Sequence, residues 1–509
     1  PVCVNGLCEG AQPLFLSALT GDETAACRRV LLLYSSDRAA ADEAMRLSEQ
    51  GIPAYHFPVR DYQFHNTTAS RDYERGRLLV LSALLFSETP FTVCATVEAI
   101  LQTTVPPEDL IHLTYTVDPE RPLDTERLAE ILVNGGYTRV ELVEGPGQFA
   151  MRGGIIDVYP PAEAPVRIEL FGDEIDRMGN FDPATQRFTE AIREPLRIPP
   201  AGELLPGAKS RDLIRAACEK QLKKVQSTEN ARAADILRAE LAALDNGENI
   251  GFADKYLPLI YPEASCFLDY YDGLAVLCEA SAVQQQAQAA EMLTMQTLEE
   301  LIGAGELHKA VRGTYIHSWA RMEKALEVLP SVLVDPFARS HAGLSPAAEF
   351  HFETRHIPAY AGNTSLLLED LEQFAHGKYR TAILCANETE AGNIADMLSD
   401  AGYTAAVCNE NLDFYGADSA RQPVALLYGD GGAGFELTGE SFAFLNYSGI
   451  PGSAAGRRKR KKAAAKKNRE AILSYSDLTE GDYVVHEAYG IGLFEGIENL
   501  TVDGMSRDY

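Results

Sequence analysis

From Val30 to about Pro107, short apolar runs alternate with amphipathic stretches of helical period, and few folds accommodate that pattern. RVLLLYS, AYHFP, RLLVLSALLF and TVCATVEAILQ read as strands, and DRAAADEAMRLSEQ between the first two reads as a helix. Parallel strands need a long crossover, which a helix of this length supplies, so a parallel α/β layer is predicted. A flavodoxin-like or Rossmann-like unit fits the same alternation.

The texture changes at about Glu108. RGGIIDVYPP, PVRIELFGDEIDRMGNFD and ATQRF alternate with period two and are broken by Gly, Asp and Pro, which predicts antiparallel hairpins and an α+β insert. Along Val166–Phe171 this period puts Val166, Ile168 and Leu170 on a core face and Arg167, Glu169 and Phe171 on the other. Arg beside an aromatic ring is enriched at binding hot spots. A second reading stays open, with Phe171 in the core of a twisted strand and Arg167 paired to a nearby acid.

Helical spacing returns from Ser210 to Leu244, where Leu213, Ala216, Ala217 and Leu222 read as the apolar stripe. The α/β unit then resumes through GLAVLCEAS and GTYIHSW to about Pro336. The expected order is a two-part α/β domain (1–107 and 196–336), the insert (108–195), a connector (337–363) and a small α/β unit (364–447). A basic linker (448–477) and an incomplete β module (478–509) follow. In the small unit, YRTAILCANETEAGNIADMLSDAGYTAAVC reads as strand, helix and strand, with Gly402 stopping the helix.

A chain of 509 residues with 46% hydrophobic and 23% charged residues has ordinary globular usage, so several folded domains are expected. Its net charge of −29 argues against a surface devoted to gripping phosphates and favours protein partners. Nine scattered cysteines without a C-x-x-C pair fit a reducing, cytoplasmic compartment and give no zinc site. No apolar run suits a membrane span or an export signal. The chain begins with Pro1 rather than Met and stops at Tyr509 inside a strand-like run, so a piece of a longer protein is expected.

Arg457 to Arg469 holds nine basic residues and no acidic one. Such a run is a solvated, self-repelling linker, the start of a helix, or a nucleic-acid contact through Arg457, Arg458, Lys459, Arg460, Lys461 and Lys462. The opening NGLCEGAQP sits where a phosphate-binding loop would precede a helix. Gly6 and Gly10 remain, but Ala11, Gln12 and Pro13 stand at the Gly-Lys-Ser/Thr positions, with neither cation nor magnesium-binding hydroxyl. GLAVLCEAS resembles an apolar strand ending in the Asp-Glu pair of helicases, with Cys278 at the Asp position and only Glu279 kept. Two defects in one unit predict a degenerate RecA/helicase-like domain that binds neither ATP nor metal.

RGGIIDVYPP followed by PVRIELFGDEIDRMGNFDPATQRF resembles the interaction domain shared by UvrB and the transcription-repair coupling factors of the Mfd type. The tail GDYVVHEAYGIGLFEGIENLTVDG is similar to the RNA-polymerase-interacting module of that family and of CarD-type regulators, a Tudor-like β-barrel. In that tail Tyr489–Gly492 reads as a turn and Asp503-Gly504 as a tight hairpin turn. The order of the two motifs fits the coupling factors. A divergent UvrB-type helicase would keep the loop lysine and a DNA-clamping hairpin, and a CarD-like regulator would lack a repair partner.

The resemblance implies that Arg152, Arg167 and Phe171 contact UvrA, and that Leu500 lies at the β subunit of RNA polymerase; Leu500 as a barrel-core residue is the other reading. It also implies that the complete protein carries an ATP- and magnesium-dependent motor that translocates on double-stranded DNA and displaces stalled polymerase. The motor and the domain that masks the UvrA face in the family have no counterpart in this sequence. UvrA binding without ATP is therefore expected.

Overall fold

The computed structural model describes residues 1–8, 10–21, 29–49, 51–62, 64, 72–227, 230–245, 253–309, 311–337, 346–408, 424–429 and 432–448, and in the tail 483–486, 490–493, 499–502 and 505–508. Two compact units divide the chain, Pro1–Gly449 and Ile450–Tyr509.

The first unit is mixed α/β. Its largest sheet has seven parallel strands in the order Ala348–His351, Val2–Asn5, Ser331–Asp335, Leu274–Cys278, Arg29–Tyr34, Phe91–Thr96 and Ala54–Phe57. Leu31, Leu32 and Leu33 are buried beside Val93, Cys94 and Ala95, because helices cover both faces of a parallel sheet and leave no polar side.

Four expectations change. RLLVLSALLF is helix, the latter part of Asp72–Phe86, because it is long for a strand and Val80 is its one β-branched residue. GTYIHSW supplies a single bridge, Gln102 to Ile316, and the sheet strand is Ser331–Asp335 instead. Part of the expected connector is strand, since Ala348–His351 edges the parallel sheet and Thr354–Ile357 edges another. In the helix Ala208–Ser227 the buried face is Ile214, Cys218, Gln221 and Val225, while Leu213 and Ala216 face solvent. Of the predicted stripe Ala217 and Leu222 pack against the core, and the polar Gln221 is buried with its side-chain amide donating to the Gly305 carbonyl at 2.8 Å.

The insert is a six-stranded sheet in the order Arg187–Ala191, Glu174–Asp182, Val166–Phe171, Ile155–Tyr159, Gln148–Arg152 and Thr138–Arg139, antiparallel except for the last pair. The helix Thr125–Asn134, capped by Asp124, lays Leu128 and Leu132 against Phe149, Ile156, Val158, Val166 and Ile168. The small α/β sheet runs Thr354–Ile357, Gly434–Leu437, Phe442–Asn446, Arg380–Cys385, Val424–Tyr428 and Ala405–Val407. Gly402, at φ +84°, follows the helix Glu388–Asp400 as its sequence position implied.

The insert returns to the α/β unit through a buried ion network. Glu203, just past the insert, accepts from Arg60 Nη1 at 2.8 Å and from Arg77 Nε at 2.9 Å. Arg60 also donates to Asp254 at 2.8 Å and to Glu74 at 2.9 Å, and Tyr261 donates its hydroxyl to the Glu203 main-chain carbonyl at 2.7 Å. Arg60, Arg77, Glu203 and Asp254 are all sealed from solvent. Burial by itself raises the Glu203 carboxyl, but Arg77 and Arg60 outweigh it and hold the group below its ordinary value. A carboxylate depressed in the folded state contributes stability above its unfolded value, and that contribution is lost as pH falls through the folded value. Glu203→Gln is expected to cost about 3 to 5 kcal/mol in urea unfolding and to flatten the acid limb of the stability profile.

Candidate functional sites: a filled phosphate loop and an arginine–phenylalanine face

The strand Val2–Asn5 leads into the glycine loop, and the helix Gln12–Gly21 follows, as a phosphate loop requires. Four of the loop amides, however, already have partners. Gly6 N–H donates to the Asp335 carbonyl at 3.2 Å and Cys8 N–H to Thr354 Oγ1 at 2.7 Å, while Ala11 and Gln12 N–H both donate to the Cys8 carbonyl, at 2.9 and 3.2 Å. The Thr354 hydroxyl donates in turn to the Gly6 carbonyl at 2.5 Å.

The glycines answer to the same neighbour. Gly6 sits at φ +85°, and a Cβ there would lie 2.1 Å from the Phe352 carbonyl oxygen; one on Gly10 would lie 2.5 Å from that of Ala433. Leu7, Ala11 and Leu16 share a buried cluster with Phe435, and Phe15 meets the Phe352 ring edge-on at 6.1 Å. Backbone and side chains of the small α/β unit thus occupy the loop's surroundings, and Pro13 brings no N–H to the helix start.

Cys278 ends the strand Leu274–Cys278, and Glu279 follows at φ +58° as the residue before the helix Ala280–Gly303. Burial pushes the Cys278 thiol up to about 12, so it stays neutral where a helicase places a carboxylate. Among the described residues no group of three or more His, Cys, Asp or Glu could hold a metal ion. No described helix is long and apolar enough to cross a membrane.

The outer face of the insert brings together the three residues singled out in its sequence. Val166 and Ile168 are buried on the core side as period two requires, and Leu170 packs against that core. Phe171 is 82% exposed at the hairpin Phe171–Glu174, where Gly172 at φ +70° makes the turn. Strand register sets Arg167 opposite Asp157 and Arg152 opposite Ile155. Asp157, buried, accepts from Arg167 Nε at 2.6 Å and Nη2 at 2.9 Å, and from Arg152 Nη2 at 2.9 Å.

Arg167 is therefore both on the outer face and paired to an acid, so the two readings of this strand each hold in part. Its guanidinium also donates to the Gln186 carbonyl at 2.8 Å and side-chain oxygen at 3.1 Å, and lies 4.8 Å over the Phe181 ring. Only 12% of its side chain is exposed, against 45% for Arg152. Sequence reasoning missed Asp157 and Gln186. The signal for Asp157 was present, since an acid inside the apolar run IIDVY on the same face as Ile155 needs a cationic neighbour.

In the second unit, Tyr483–His486 pairs antiparallel with Gly490–Leu493, and Asn499–Val502 with Met505–Asp508. The run read as a turn at Tyr489–Gly492 is strand from Gly490 on, with Gly490 paired to His486. Val502 pairs with Met505, as a tight Asp503-Gly504 hairpin would have it, although those two residues lie outside the described ones. Leu500 is in a strand opposite Arg507. Arg457, Arg458, Lys459, Arg460, Lys461 and Lys462 lie outside the described residues.

Fold and face together define a chain that carries a repair-type interaction domain: residues 116–204 match the UvrB interaction domain, and residues 478–509 match the CarD-like/TRCF RID domain. Along almost its whole length the chain is similar to the transcription-repair-coupling factor of Bacillus subtilis, at 28% identity over 99% of this chain and 44% of that protein. Those of Staphylococcus haemolyticus and Staphylococcus aureus follow at 25% and 24% identity, over 94% and 99% of this chain and 40% and 43% of theirs. The chain thus spans less than half the length of these relatives. The resemblance read from the sequence, to the UvrB-like region of the transcription-repair coupling factors through the start of their RNA-polymerase-interacting module, is borne out.

Thr354→Val keeps the shape but removes the hydroxyl that joins the Cys8 amide to the Gly6 carbonyl. It should cost about 1 to 2 kcal/mol, seen as faster hydrogen exchange at Cys8 with little change in the insert.

Proposed function

We propose that this chain is a scaffold with two docking surfaces, one that receives UvrA and one that begins an anchor on the β subunit of RNA polymerase. The observation that carries the first is the outer face of the insert, where an exposed phenylalanine and a half-exposed arginine stand together within the match to the UvrB interaction domain. Exposed aromatic and Arg side chains on a rigid sheet are the usual anchors of a protein interface. The second rests on the match at 478–509, with Leu500 on a strand that could extend a partner's sheet. A Tudor-like barrel is the proposed form of the complete module.

In the complete protein, an ATP- and magnesium-dependent motor acting on double-stranded DNA would drive stalled polymerase forward, and UvrA would be recruited to the lesion. Within this chain the α/β unit is a degenerate RecA/helicase-like domain without enzymatic activity, and the protein works in the cytoplasm. Support for nucleotide loss comes from Gln12 and Pro13 in the loop and from the amides of Gly6, Cys8, Ala11 and Gln12, which already donate within the chain. The UvrB-type helicase reading is not favoured, because that function needs the loop lysine. The CarD-like regulator reading leaves the insert without a partner. The basic run from Arg457 to Lys462 is proposed as a linker, with contact to DNA the property to test.

Phe171→Ala is expected to weaken UvrA binding, measured by calorimetry without ATP, by roughly 1 to 4 kcal/mol. Unchanged affinity would refute the docking face. A labelled-ATP filter assay should detect no binding, even by the double variant Gln12→Lys, Pro13→Thr, since the added cation would meet a loop in which the amides of Gly6, Cys8, Ala11 and Gln12 are already engaged. Micromolar retention by the unaltered chain would refute the loss of the nucleotide site.

A further inference from the structure

In a chain whose net charge is −29, a cation is rarely far from an acid, and Arg60, Arg77, Arg215 and Arg321 of the α/β unit each meet a carboxylate. Three lysines that share one patch do not. Lys220 and Lys224 stand one turn apart on the helix Ala208–Ser227, and Lys309 is in the loop that packs along it. All three are exposed, and among the described residues none has an acid within ion-pair distance, whereas the buried Lys255 meets Glu240.

The loop is fixed against the helix pair at two points. Gln221 donates its side-chain amide to the Gly305 carbonyl and Asn230 to that of Ala304, both at 2.8 Å. Leu307 and Val311 are buried in the core on either side of Lys309, which leaves that side chain outward. Glu306, the one acid of segment 304–312, is buried and faces Arg232 at 3.9 Å. Arg312 turns Nε onto the Lys309 carbonyl at 3.0 Å and adds a further exposed cation. The buried His308 senses all three lysines: its imidazole is held below its ordinary value by burial first, then by Lys220, Lys224 and Lys309. Three ammoniums felt at one ring converge on one spot.

We propose that Lys220, Lys224 and Lys309 form a contact for the phosphates of double-stranded DNA. Like charges at i and i+4 repel, and a third converging on them adds to a cost that a bound anion relieves. Lysine acts as a point charge without the directed fork with which arginine takes a carboxylate, and so suits a backbone gripped by charge alone. Neither the helix Ala208–Ser227 nor segment 304–312 carries Phe, Tyr or Trp. Unpaired bases would find no ring to stack on, and a duplex is the form that fits. The acidity of the remainder repels DNA and confines it to this patch.

The contact is independent of the docking reading, since it lies on other elements and is tested without UvrA or polymerase. Binding of a short fluorescent duplex to the full chain is followed by anisotropy between about 50 and 200 mM salt. Changing Lys220, Lys224 and Lys309 together to Gln is expected to reduce the slope of log K against log salt by about 3 and to weaken low-salt binding about tenfold or more. The run from Arg457 to Lys462 is a second candidate for DNA, so the change is repeated with those six residues as Gln. Separate contacts add, and the loss should be the same in both backgrounds.

An unchanged slope would overturn the proposal. So would an equal loss per charge from Lys324→Gln with Lys378→Gln, two exposed lysines outside the patch, because net charge alone would then explain the effect. Displacement of the duplex by poly-glutamate at matched charge would assign the patch to an acidic protein and overturn the reading as well. Removing the repulsion should hold or raise Tm. Should the triple variant unfold, Lys309→Gln alone is expected to lower the slope by about 1.

Discussion

The buried contact of Glu203 with Arg60 and Arg77 is the constraint on which the arrangement of the first unit depends. These residues come from segments separated by the whole insert, and charges sealed from water can persist only if each finds its partner. The chain must therefore leave the α/β unit, build the insert and come back to one position. Asp254 and Glu74 complete the neutralisation of Arg60, which brings the helical segment beyond residue 245 into the same lock. Because the desolvation of these ions is so large, the network defines a geometry more than it adds net stability.

The glycine loop follows a related logic. A phosphate cradle offers several backbone N–H groups with no intramolecular acceptor, and such groups are costly once water is excluded. In this chain Thr354 and the carbonyls of Asp335 and Cys8 supply the acceptors, while Phe352 and Ala433 bring backbone so close that only glycine fits at positions 6 and 10. The glycines that resemble a relic of nucleotide binding are thus required by packing against the small α/β unit. Arg152, Asp157 and Arg167 show the same economy on the insert, where one carboxylate organises two cations.

Much of the architecture was legible in the sequence because it follows from local periodicity. Apolar runs of strand length gave Arg29–Tyr34, Ala54–Phe57 and Leu274–Cys278, period two gave the hairpins of the insert, and Val166, Ile168, Arg167 and Phe171 fall on the faces predicted. Periodicity failed where it could not choose: the run ending at Phe86 is apolar in either conformation, and the helix Ala208–Ser227 buries Gln221 at the expense of Leu213. Lengths and lateral contacts, unavailable to a local pattern, decided those cases.

By itself the sequence determined which residues could form strands and helices, the loss of a lysine and a hydroxyl from the glycine loop, and the family likeness carried by RGGIIDVYPP and by the tail. Only the tertiary structure decided that Thr354 fills that loop, that Glu203 meets Arg60 and Arg77, and that Asp157 pairs with both Arg152 and Arg167 while Arg152 keeps the greater exposure. The reason is physical. Backbone periodicity is written in neighbours along the chain, whereas a buried hydrogen bond or ion pair depends on which distant segment arrives to satisfy it.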